Sequence, residues 1–368
     1  MKMFWLSTFF NSIIDEQFTY HEPARHTEAI SIFNMNQTAH ILGTGGIGIA
    51  AGVCLARAGW NVTMVDSNDK KIEAGKRDGM SVDGQIETRA QFVSFQKWSP
   101  PANETILLCV KTFDNASVLQ RIDNMEHVVP IQNGFDAQLE LLHHPAEAIA
   151  SFVSECDADR PATRITRAGS LHIGARHDIN PAQQECIDTL ANALAQGKLF
   201  PVENVPSIKP FKATKLMYNA AISPLAASAG VDNAQLLIDP LAQKMFFSLL
   251  RENYSILRNA GLEMATIGPF HPNTVMRILC TPLLAKCMGV FFRPSLRGTY
   301  CSMSPDMGSG RTEVDAYNGH LVRLAGNFPC PINRAVVALV EKISRERLAP
   351  SLSHLHELAA TLALGVRA

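Results

Sequence analysis

The stretch His40-Ile41-Leu42-Gly43-Thr44-Gly45-Gly46-Ile47-Gly48 decides the fold of this chain. Its apolar run predicts a buried strand, and the apolar segment after the glycines predicts a helix. The spacing G-x-G-x-x-G between a strand and a helix is typical of a dinucleotide-binding unit, in which the pyrophosphate sits at the helix N-terminus. The glycines permit a tight turn, close approach of the backbone to the pyrophosphate, and close helix–strand packing. The predicted cofactor-binding residues of this turn are Gly43, Gly45, Gly46 and Gly48.

Asp66 ends the next predicted strand, about 20 residues after the glycine turn, where dinucleotide-binding folds place a ribose-binding acid. A carboxylate there accepts hydrogen bonds from a ribose 2′-hydroxyl and repels a 2′-phosphate, which favours NAD(H) over NADP(H). Lys70 and Lys71 follow closely and offer charges that suit a phosphate. The other interpretation of Asp66 is a solvated loop acid without cofactor contact, so this pattern leaves the cofactor preference open.

Short apolar runs and helical stretches alternate through the first half of the chain. After a strand at 39–42 and a helix at 45–58, further strands are predicted at 61–65, 105–110, 127–131 and 148–153. Strands of this kind separated by helices predict an α/β fold with a Rossmann-type parallel sheet, covered on both faces.

The second half of the chain has a different pattern. Apolar residues recur at three-to-four spacing within 212–221, 240–259, 311–325 and 333–347, which predicts an all-helical C-terminal domain. Three prolines, Pro201, Pro206 and Pro210, indicate a linker over 199–210. The predicted organisation is an N-terminal extension over 1–34, disordered or not native, a Rossmann domain over 35–203, and a helical substrate and catalytic domain over 204–368.

The composition argues against several classes of partner. With 46% hydrophobic and 18% charged residues, the chain can bury a large core, and its net charge of −1 gives no attraction to nucleic acid or anionic membranes. No segment approaches the ~20 apolar residues that span a bilayer. The eight cysteines include no C-x-x-C pair, which favours reduced thiols over disulfides or a zinc site. We expect a cytoplasmic protein without metal, nucleic-acid or membrane partners, and leave a homodimer open.

Three further groups of segments follow the glycine turn, and the set in this order resembles one known family. They are Cys109-Val110-Lys111-Thr112 with Pro130-Ile131-Gln132-Asn133-Gly134; Lys212-Ala213-Thr214-Lys215-Leu216-Met217-Tyr218-Asn219-Ala220; and Cys301-Ser302-Met303-Ser304-Pro305-Asp306 with Gly310-Arg311-Thr312-Glu313-Val314-Asp315 and Tyr317-Asn318-Gly319. From Met35 to about Val340, the chain is similar to the ketopantoate reductases (2-dehydropantoate 2-reductases).

The resemblance implies reduction of 2-dehydropantoate (ketopantoate), a small 2-oxo acid, to pantoate on the route to pantothenate. It implies NADP(H) as the cofactor, or NAD(H) if Asp66 binds the ribose 2′-hydroxyl. Lys215 is implied as the catalytic acid, with Glu313 supporting the site. The implied substrate-binding residues are Asn219, Ser302 and Asn133, and the residues implied where nicotinamide and substrate meet are Lys111 and Asn133.

The residue types suit this chemistry independently. Hydride reduction of a ketone leaves an alkoxide, which needs a proton donor at its oxygen. Lys215 and Asn219 are four residues apart on a predicted helix, so a cation and an amide face the same way. Glu313 near a helix start is placed to orient Lys215 or to accept a substrate hydroxyl.

Each of these residues also has a purely structural interpretation. Lys215 suits a solvated helix position, Glu313 a first-turn acid, and Ser302 a helix cap. Asn133 before a glycine suits a turn, and Lys111 suits an exposed strand end.

Two other functions stay open, one of them because the chain departs from the family pattern. The family commonly uses NADP(H) and often has a basic residue where this chain has Asp66. The chain is one residue shorter than usual between Asp306 and Glu313, and 269–297 is a longer insertion with arginines. The alternatives are a related hydroxyacid dehydrogenase acting on another branched 2-oxo acid, and a non-catalytic dinucleotide-sensing module.

Overall fold

This computed structural model describes residues 37–87 and 89–363. Its first strand is the one predicted before the glycine turn. In chain order the strands are Thr38–Leu42 (β1), Asn61–Asp66 (β2), Met80–Val82 (β3), Gln85–Glu87 (β4), Ala90–Ser94 (β5), Thr105–Leu108 (β6), Val128–Pro130 (β7), Ala146–Ala150 (β8), Val153–Cys156 (β9), Ala162–Arg167 (β10), Leu171–Ala175 (β11) and Val202–Val205 (β12). The predicted extension over 1–34 lies outside the described residues.

The α-helices are also numbered in chain order, starting with the helix after the glycine turn. They are Gly46–Arg57 (α1), Asp69–Asp78 (α2), Asn115–Leu119 (α3), Ala137–Leu141 (α4), Pro181–Gln196 (α5), Lys209–Ala229 (α6), Pro240–Asn259 (α7), Pro272–Leu279 (α8), Pro282–Leu296 (α9), His320–Ala325 (α10), Pro331–Glu346 (α11) and Leu352–Thr361 (α12). A π-helix, Asp315–Gly319, runs directly into α10.

The main sheet has the strand order β5-β2-β1-β6-β7, and all its pairs are parallel. A parallel bridge between Ile131 and Ala148 continues it to β8, which pairs antiparallel with β11. Buried apolar residues form one cluster around α1 and α5 and another around Trp98 and Val118, which covers both faces of the sheet. The predicted Rossmann-type parallel sheet is confirmed.

A second sheet, β4-β3-β10-β9, was not predicted. Its strands are short, and β9 and β10 pair antiparallel with a register shift between Ile165 and Arg167. Such short segments with alternating polar residues give only a weak signal in a single sequence. This sheet packs on the N-terminal end of α1, since a Cβ on Gly46 would collide with the side chain of Ser154.

The C-terminal half is helical as predicted, and its buried residues form their own core from Ala213 to Ala359. Helix starts are signalled locally: Asp239 accepts hydrogen bonds from the amides of Leu241 and Ala242, and Pro240 occupies the first turn of α7. Helix α6 ends at Gly230, whose φ of +68° suits a left-handed C-cap.

Two predictions of local structure were wrong. The proposed linker over 199–210 contains β12, because Pro201 and Pro206 flank this strand and leave its amides free to pair with β11. The predicted division at 203/204 therefore falls inside a strand. The proposed helix over 311–325 is helical only from Val314, and its first part is the π-helix, which keeps Tyr317 and Asn318 both buried.

Candidate active site

The glycine turn between β1 and α1 is held tightly on one side and open on the other. Gly43 has φ +100° and donates to Val65 O at 2.8 Å, and a Cβ on it would lie 2.9 Å from the Cys109 carbonyl carbon. A Cβ on Gly45, in contrast, would meet nothing within 4 Å. No side chain caps the first turn of α1, so its amides remain available to an anion. These residues fit the pyrophosphate of a dinucleotide.

Asp66 anchors the glycine turn to the end of β2. One carboxylate oxygen accepts hydrogen bonds from the Thr44 amide, at 2.7 Å, and from the Thr44 hydroxyl; the other accepts from the Asn68 amide at 2.9 Å. A carboxylate has about four acceptor positions, so one remains for a ribose hydroxyl. Lys71 donates to Thr44 O at 2.9 Å, which places its positive charge at the same turn.

Lys111 joins the two halves of the molecule. It follows β6, and its Nζ lies 2.7 Å from Ser302 O, 2.7 Å from Asp306 Oδ2 and 3.3 Å from Glu313 Oε2. An ammonium group has three donors, and these three acceptors use them all. Burial opposes the charge on Lys111, but Glu313 and Asp306 more than offset it and raise its pKa.

Glu313 is buried at the centre of this contact. Its Oε1 accepts from the Thr112 amide at 3.3 Å, and its Oε2 lies 3.4 Å from the Tyr317 hydroxyl. Within the described part of the chain, Glu313 makes no bond to Lys215, so the structure gives no support for the suggestion that it orients this lysine directly. It positions Lys111 and Tyr317 instead.

Tyr317 brings the predicted substrate-binding residues together. Its side chain is 1% exposed, its hydroxyl donates to Glu313 Oε2, and the side chains of Ser302 and Asn219 are near enough to influence its ionisation. Burial, with the nearby charge of Glu313, raises the pKa of Tyr317 well above its ordinary value. The hydroxyl is therefore a neutral donor and acceptor beside both residues.

Lys215 occupies α6 one turn before Asn219 and is 8% exposed. Within residues 37–87 and 89–363, nothing accepts a hydrogen bond from its ammonium or pairs with it. Burial, with the positive charge of Arg167, lowers its pKa to about 7. A buried lysine with a pKa near neutrality is suited to donate a proton.

Asn133 follows β7 and faces the same contact between the two halves. Its Oδ1 is buried and lacks a hydrogen-bond partner among the described residues, which is unusual for a polar atom in a protein interior. The next residue, Gly134, packs so closely that a Cβ would lie 2.9 Å from Ala316 Cβ. The turn therefore touches the π-helix that carries Tyr317.

The structure thus connects Lys111 with Ser302 and Glu313 through hydrogen bonds. Asn219 lies near Tyr317 at the edge of this group, and Lys215 is one helical turn from Asn219. Sequence reasoning assigned no role to Tyr317, Asp306 or Arg167. Asp306 and Tyr317 belong to the segments that resemble the family. Arg167, in contrast, is one arginine in a short strand, which gives no local signal. Among the described residues, no cluster of three His, Cys, Asp or Glu side chains has a geometry that holds a metal, and no helix is long and apolar enough to cross a membrane.

This fold and contact region define a nicotinamide-dependent oxidoreductase with a dinucleotide-binding half and a helical half. Comparison with known families makes the assignment more specific. Residues 39–177 match the family "Ketopantoate reductase PanE/ApbA", and residues 207–344 match the C-terminal part of the same family. The chain belongs to the ketopantoate reductase family.

Individual relatives are distant but collinear with this chain. A 2-dehydropantoate 2-reductase of Halobacterium salinarum is 22% identical over 321 residues, which cover 83% of this chain and 98% of the relative. A solved structure of a PanE/ApbA family ketopantoate reductase from Ralstonia eutropha matches with a TM-score of 0.67 at 22% identity, covering 85% of this chain and all of that one.

A second solved structure with the same fold has another substrate. The ternary structure of D-mandelate dehydrogenase with NADH and anilino(oxo)acetate matches with a TM-score of 0.68 at 18% identity, covering 84% of this chain and 99% of that one. The same fold is therefore found in an enzyme named for another substrate, D-mandelate.

Proposed function

We propose that this protein reduces 2-dehydropantoate to pantoate with a reduced nicotinamide dinucleotide, and that Lys215 is the proton donor. The observation that carries the proposal is the buried ammonium of Lys215, which pairs with none of the described residues and lies one turn from Asn219, in a chain of the ketopantoate reductase family. Such an ammonium needs a ligand oxygen to stabilise its charge.

The chain supplies the proton and the positioning for this reaction. When bound, the reduced dinucleotide supplies a hydride to the 2-oxo carbon of the substrate. Lys215 Nζ gives a proton to the carbonyl oxygen as negative charge develops there, and the ammonium becomes a neutral amine. Because Lys215 is buried, loss of its charge is favourable, which suits the role of an acid at neutral pH.

Polar groups around Tyr317 are proposed to hold the substrate. Asn219 and Ser302 offer an amide and a hydroxyl for the remaining oxygens of the 2-oxo acid. Glu313, fixed by Lys111 and Thr112, keeps Tyr317 in place. The unpaired Oδ1 of Asn133 is available to a substrate hydroxyl or to the carboxamide of the nicotinamide.

We further propose NAD(H) as the preferred cofactor. Asp66 stays at the end of β2 with one acceptor position unused, and its negative charge disfavours a 2′-phosphate. Lys71 donates to Thr44 O and contacts the Cys156 thiol rather than pointing outward.

A second candidate is reduction of a different 2-oxo acid, which the fold shared with D-mandelate dehydrogenase favours. Oxidation of NADH and of NADPH should be followed with 2-dehydropantoate, 2-oxoisovalerate and phenylglyoxylate. We expect the highest kcat/KM for 2-dehydropantoate, because only it carries the hydroxymethyl group that the polar cluster can bind. A higher value for phenylglyoxylate would favour the second candidate, and no oxidation with any acid would overturn both.

A further inference from the structure

Two cations, Lys215 and Arg167, have no counter-ion among the residues that the structure describes. Arg167, at the end of β10, is half-buried, and its one hydrogen bond to a described residue is from Nη2 to Ser151 O at 3.2 Å. No carboxylate in the described residues lies within ion-pair distance of either group. Buried cations without a partner are rare in proteins unless a ligand supplies the negative charge.

Arg167 lies beside the end of β8, the strand to which α6 is attached. It donates to Ser151 O just after β8, and Lys212, one turn before Lys215 on α6, pairs with Glu147 on β8. Strands β9 and β10 carry Ser154 and Thr163, the two side chains that a Cβ on Gly46 would meet. Arg167 is four residues beyond Thr163, about 13 Å along a strand, and pairs with Val153 across the register shift. The positive charge of Arg167 is near enough to lower the pKa of Lys215. The offset from Gly46 and the bond to Ser151 O place Arg167 away from the glycine turn and beside the end of β8.

The other titratable group facing Lys215 is His172 on β11. It is 3% exposed, its Nε2 lies 3.3 Å from Glu203 Oε2, and its ring packs on Phe211. Burial, partly offset by Glu203, lowers the pKa of His172, so its ring is neutral at neutral pH. The Glu203 carboxylate serves His172 and does not pair with Lys215. The positive charge beside Lys215 is therefore that of Arg167.

We propose that Arg167 binds the carboxylate of the 2-oxo acid while Lys215 addresses its adjacent carbonyl oxygen, which makes Arg167 a specificity-determining residue. This inference rests on the proposed reduction of a 2-oxo acid. The two oxygen-bearing groups of such an acid are on neighbouring carbons, so two neighbouring cations match them. A guanidinium group can take a carboxylate through two parallel N–H donors, a geometry that an ammonium lacks.

Arg167→Met and Arg167→Lys test the proposal, with Arg164→Met as the matched control on the same strand, since Arg164 is 70% exposed and paired with Glu155. Hydrogen bonds to charged groups predict a rise of about 10- to 100-fold in KM for the 2-oxo acid in Arg167→Met. A smaller rise is expected in Arg167→Lys, which keeps the charge but loses the paired donors. KM for the dinucleotide should stay within about twofold in each variant, and Arg164→Met should resemble the unmodified enzyme.

The pH profile separates this role from a merely structural one. Arg167 helps to lower the pKa of Lys215, so Arg167→Met should move the basic limb of kcat/KM to higher pH, and Arg167→Lys should leave it nearly in place. A rise in KM for the dinucleotide instead of the acid would assign Arg167 to the pyrophosphate and overturn the proposal. An unchanged KM for the acid would overturn it as well.

Failure of this inference differs from failure of the proposed function. If the unmodified enzyme oxidises no dinucleotide with any 2-oxo acid, the function itself is wrong. If it is active and Arg167→Met and Arg167→Lys both keep their KM for the acid, only the role of Arg167 is wrong. If Arg167→Met fails to fold, Arg167→Lys provides the test. An unchanged KM for the 2-oxo acid in that variant would show that no bidentate donor is needed.

Discussion

At the scale of single residues, the ionisation of Lys215 governs the proposed chemistry. Burial, with the charge of Arg167, holds its pKa at about 7. An acid must be protonated to act, so kcat/KM for reduction should be constant at low pH and fall as the pH rises through about 7. In the reverse direction the neutral amine is required, and the rate should rise over the same interval.

Lys215→Met should lower kcat on the order of 10²- to 10⁴-fold, the usual contribution of a positioned acid, and should remove the fall near neutral pH. Dinucleotide binding, measured by quenching of protein fluorescence, should persist. Lys209→Met is the control, because Lys209 is an exposed residue of the same helix. Near-normal turnover of the Lys215 variant would remove this residue from the role of acid.

Asp66 sets the expected cofactor preference. In the proposed binding mode its carboxylate, bonded to the Thr44 amide at 2.7 Å, would lie beside the ribose and repel a 2′-phosphate. We expect kcat/KM to be higher with NADH than with NADPH. Asp66→Asn should shrink this ratio on the order of tenfold, because it removes a like-charge repulsion and keeps an acceptor.

The exposed acid Asp69 on α2 provides a matched control, and Asp69→Asn should leave the ratio of NADH to NADPH unchanged. Steady-state kinetics with both dinucleotides measure the effect. A preference for NADPH in the unmodified enzyme would contradict the assignment of Asp66 as the residue that selects NADH.

At the scale of elements, helix α6 is fixed to the sheet by a buried ionic cluster below Lys215. Lys212, one turn earlier, and Arg176 from the end of β11 both pair with Glu147 on β8, and His144 lies 2.7 Å from the same carboxylate. Burial opposes the charge of Glu147, but Lys212, His144 and Arg176 outweigh it and lower its pKa. Lys212 also lies 4.4 Å from the ring centre of Phe135.

Glu147→Gln should lower the free energy of unfolding by up to about 3–5 kcal/mol, because it removes the buried carboxylate that Lys212 and Arg176 share. Both cations then keep only Glu140, which lies 3.9 Å from Lys212 and 2.7 Å from Arg176. Urea unfolding at pH 7 measures the change. Lys212→Met combined with Glu147→Gln should cost less than the sum of the two single changes, since the double variant removes a charge of each sign. Additive effects would show that the two groups are energetically independent.

The pH dependence of stability follows from the same cluster. Because the pKa of Glu147 is lower in the folded state than its ordinary value of 4.5, its stabilising contribution is present above that pH. It should be lost as the pH falls below this value toward the folded-state pKa. Glu147→Gln should therefore flatten the acid limb of the stability profile.

At the scale of the whole molecule, Lys111 connects the dinucleotide-binding half to the helical half. Its three bonds reach Ser302, Asp306 and Glu313, about 190 to 200 residues further along the chain. They hold the segment that carries Ser302 against the end of β6. The position of the segment that carries Ser302 therefore depends on a side chain of the N-terminal half.

Lys111→Met should speed amide hydrogen exchange in residues 302–306 and leave the exchange of α11 unchanged. It should also lower kcat/KM about 10- to 100-fold, in line with the loss of charged hydrogen bonds. The control is Lys97→Met, an exposed lysine of the same half. Unchanged exchange in 302–306 would show that Lys111 does not hold the two halves together.

The features that a single sequence could predict are local. The turn at Gly43 needs a positive φ that glycine adopts readily, and the α7 start is signalled by Asp239 and Pro240, which act within one helical turn. Helix periodicity and the strand–glycine–helix pattern likewise depend on neighbours a few residues away. These features suffice for the two-part architecture and for the dinucleotide-binding turn.

Contacts between distant segments could not be predicted in this way. The bonds of Lys111, the unpaired state of Lys215 and Arg167, and the second sheet with its register shift depend on which strands and helices meet. Burial and pairing are decided by long-range packing, because a lysine in the chain is solvated until other elements exclude water from it. The conformation of the glycine turn is thus determined by the local sequence, whereas the acidity of Lys215 is determined by the assembled fold.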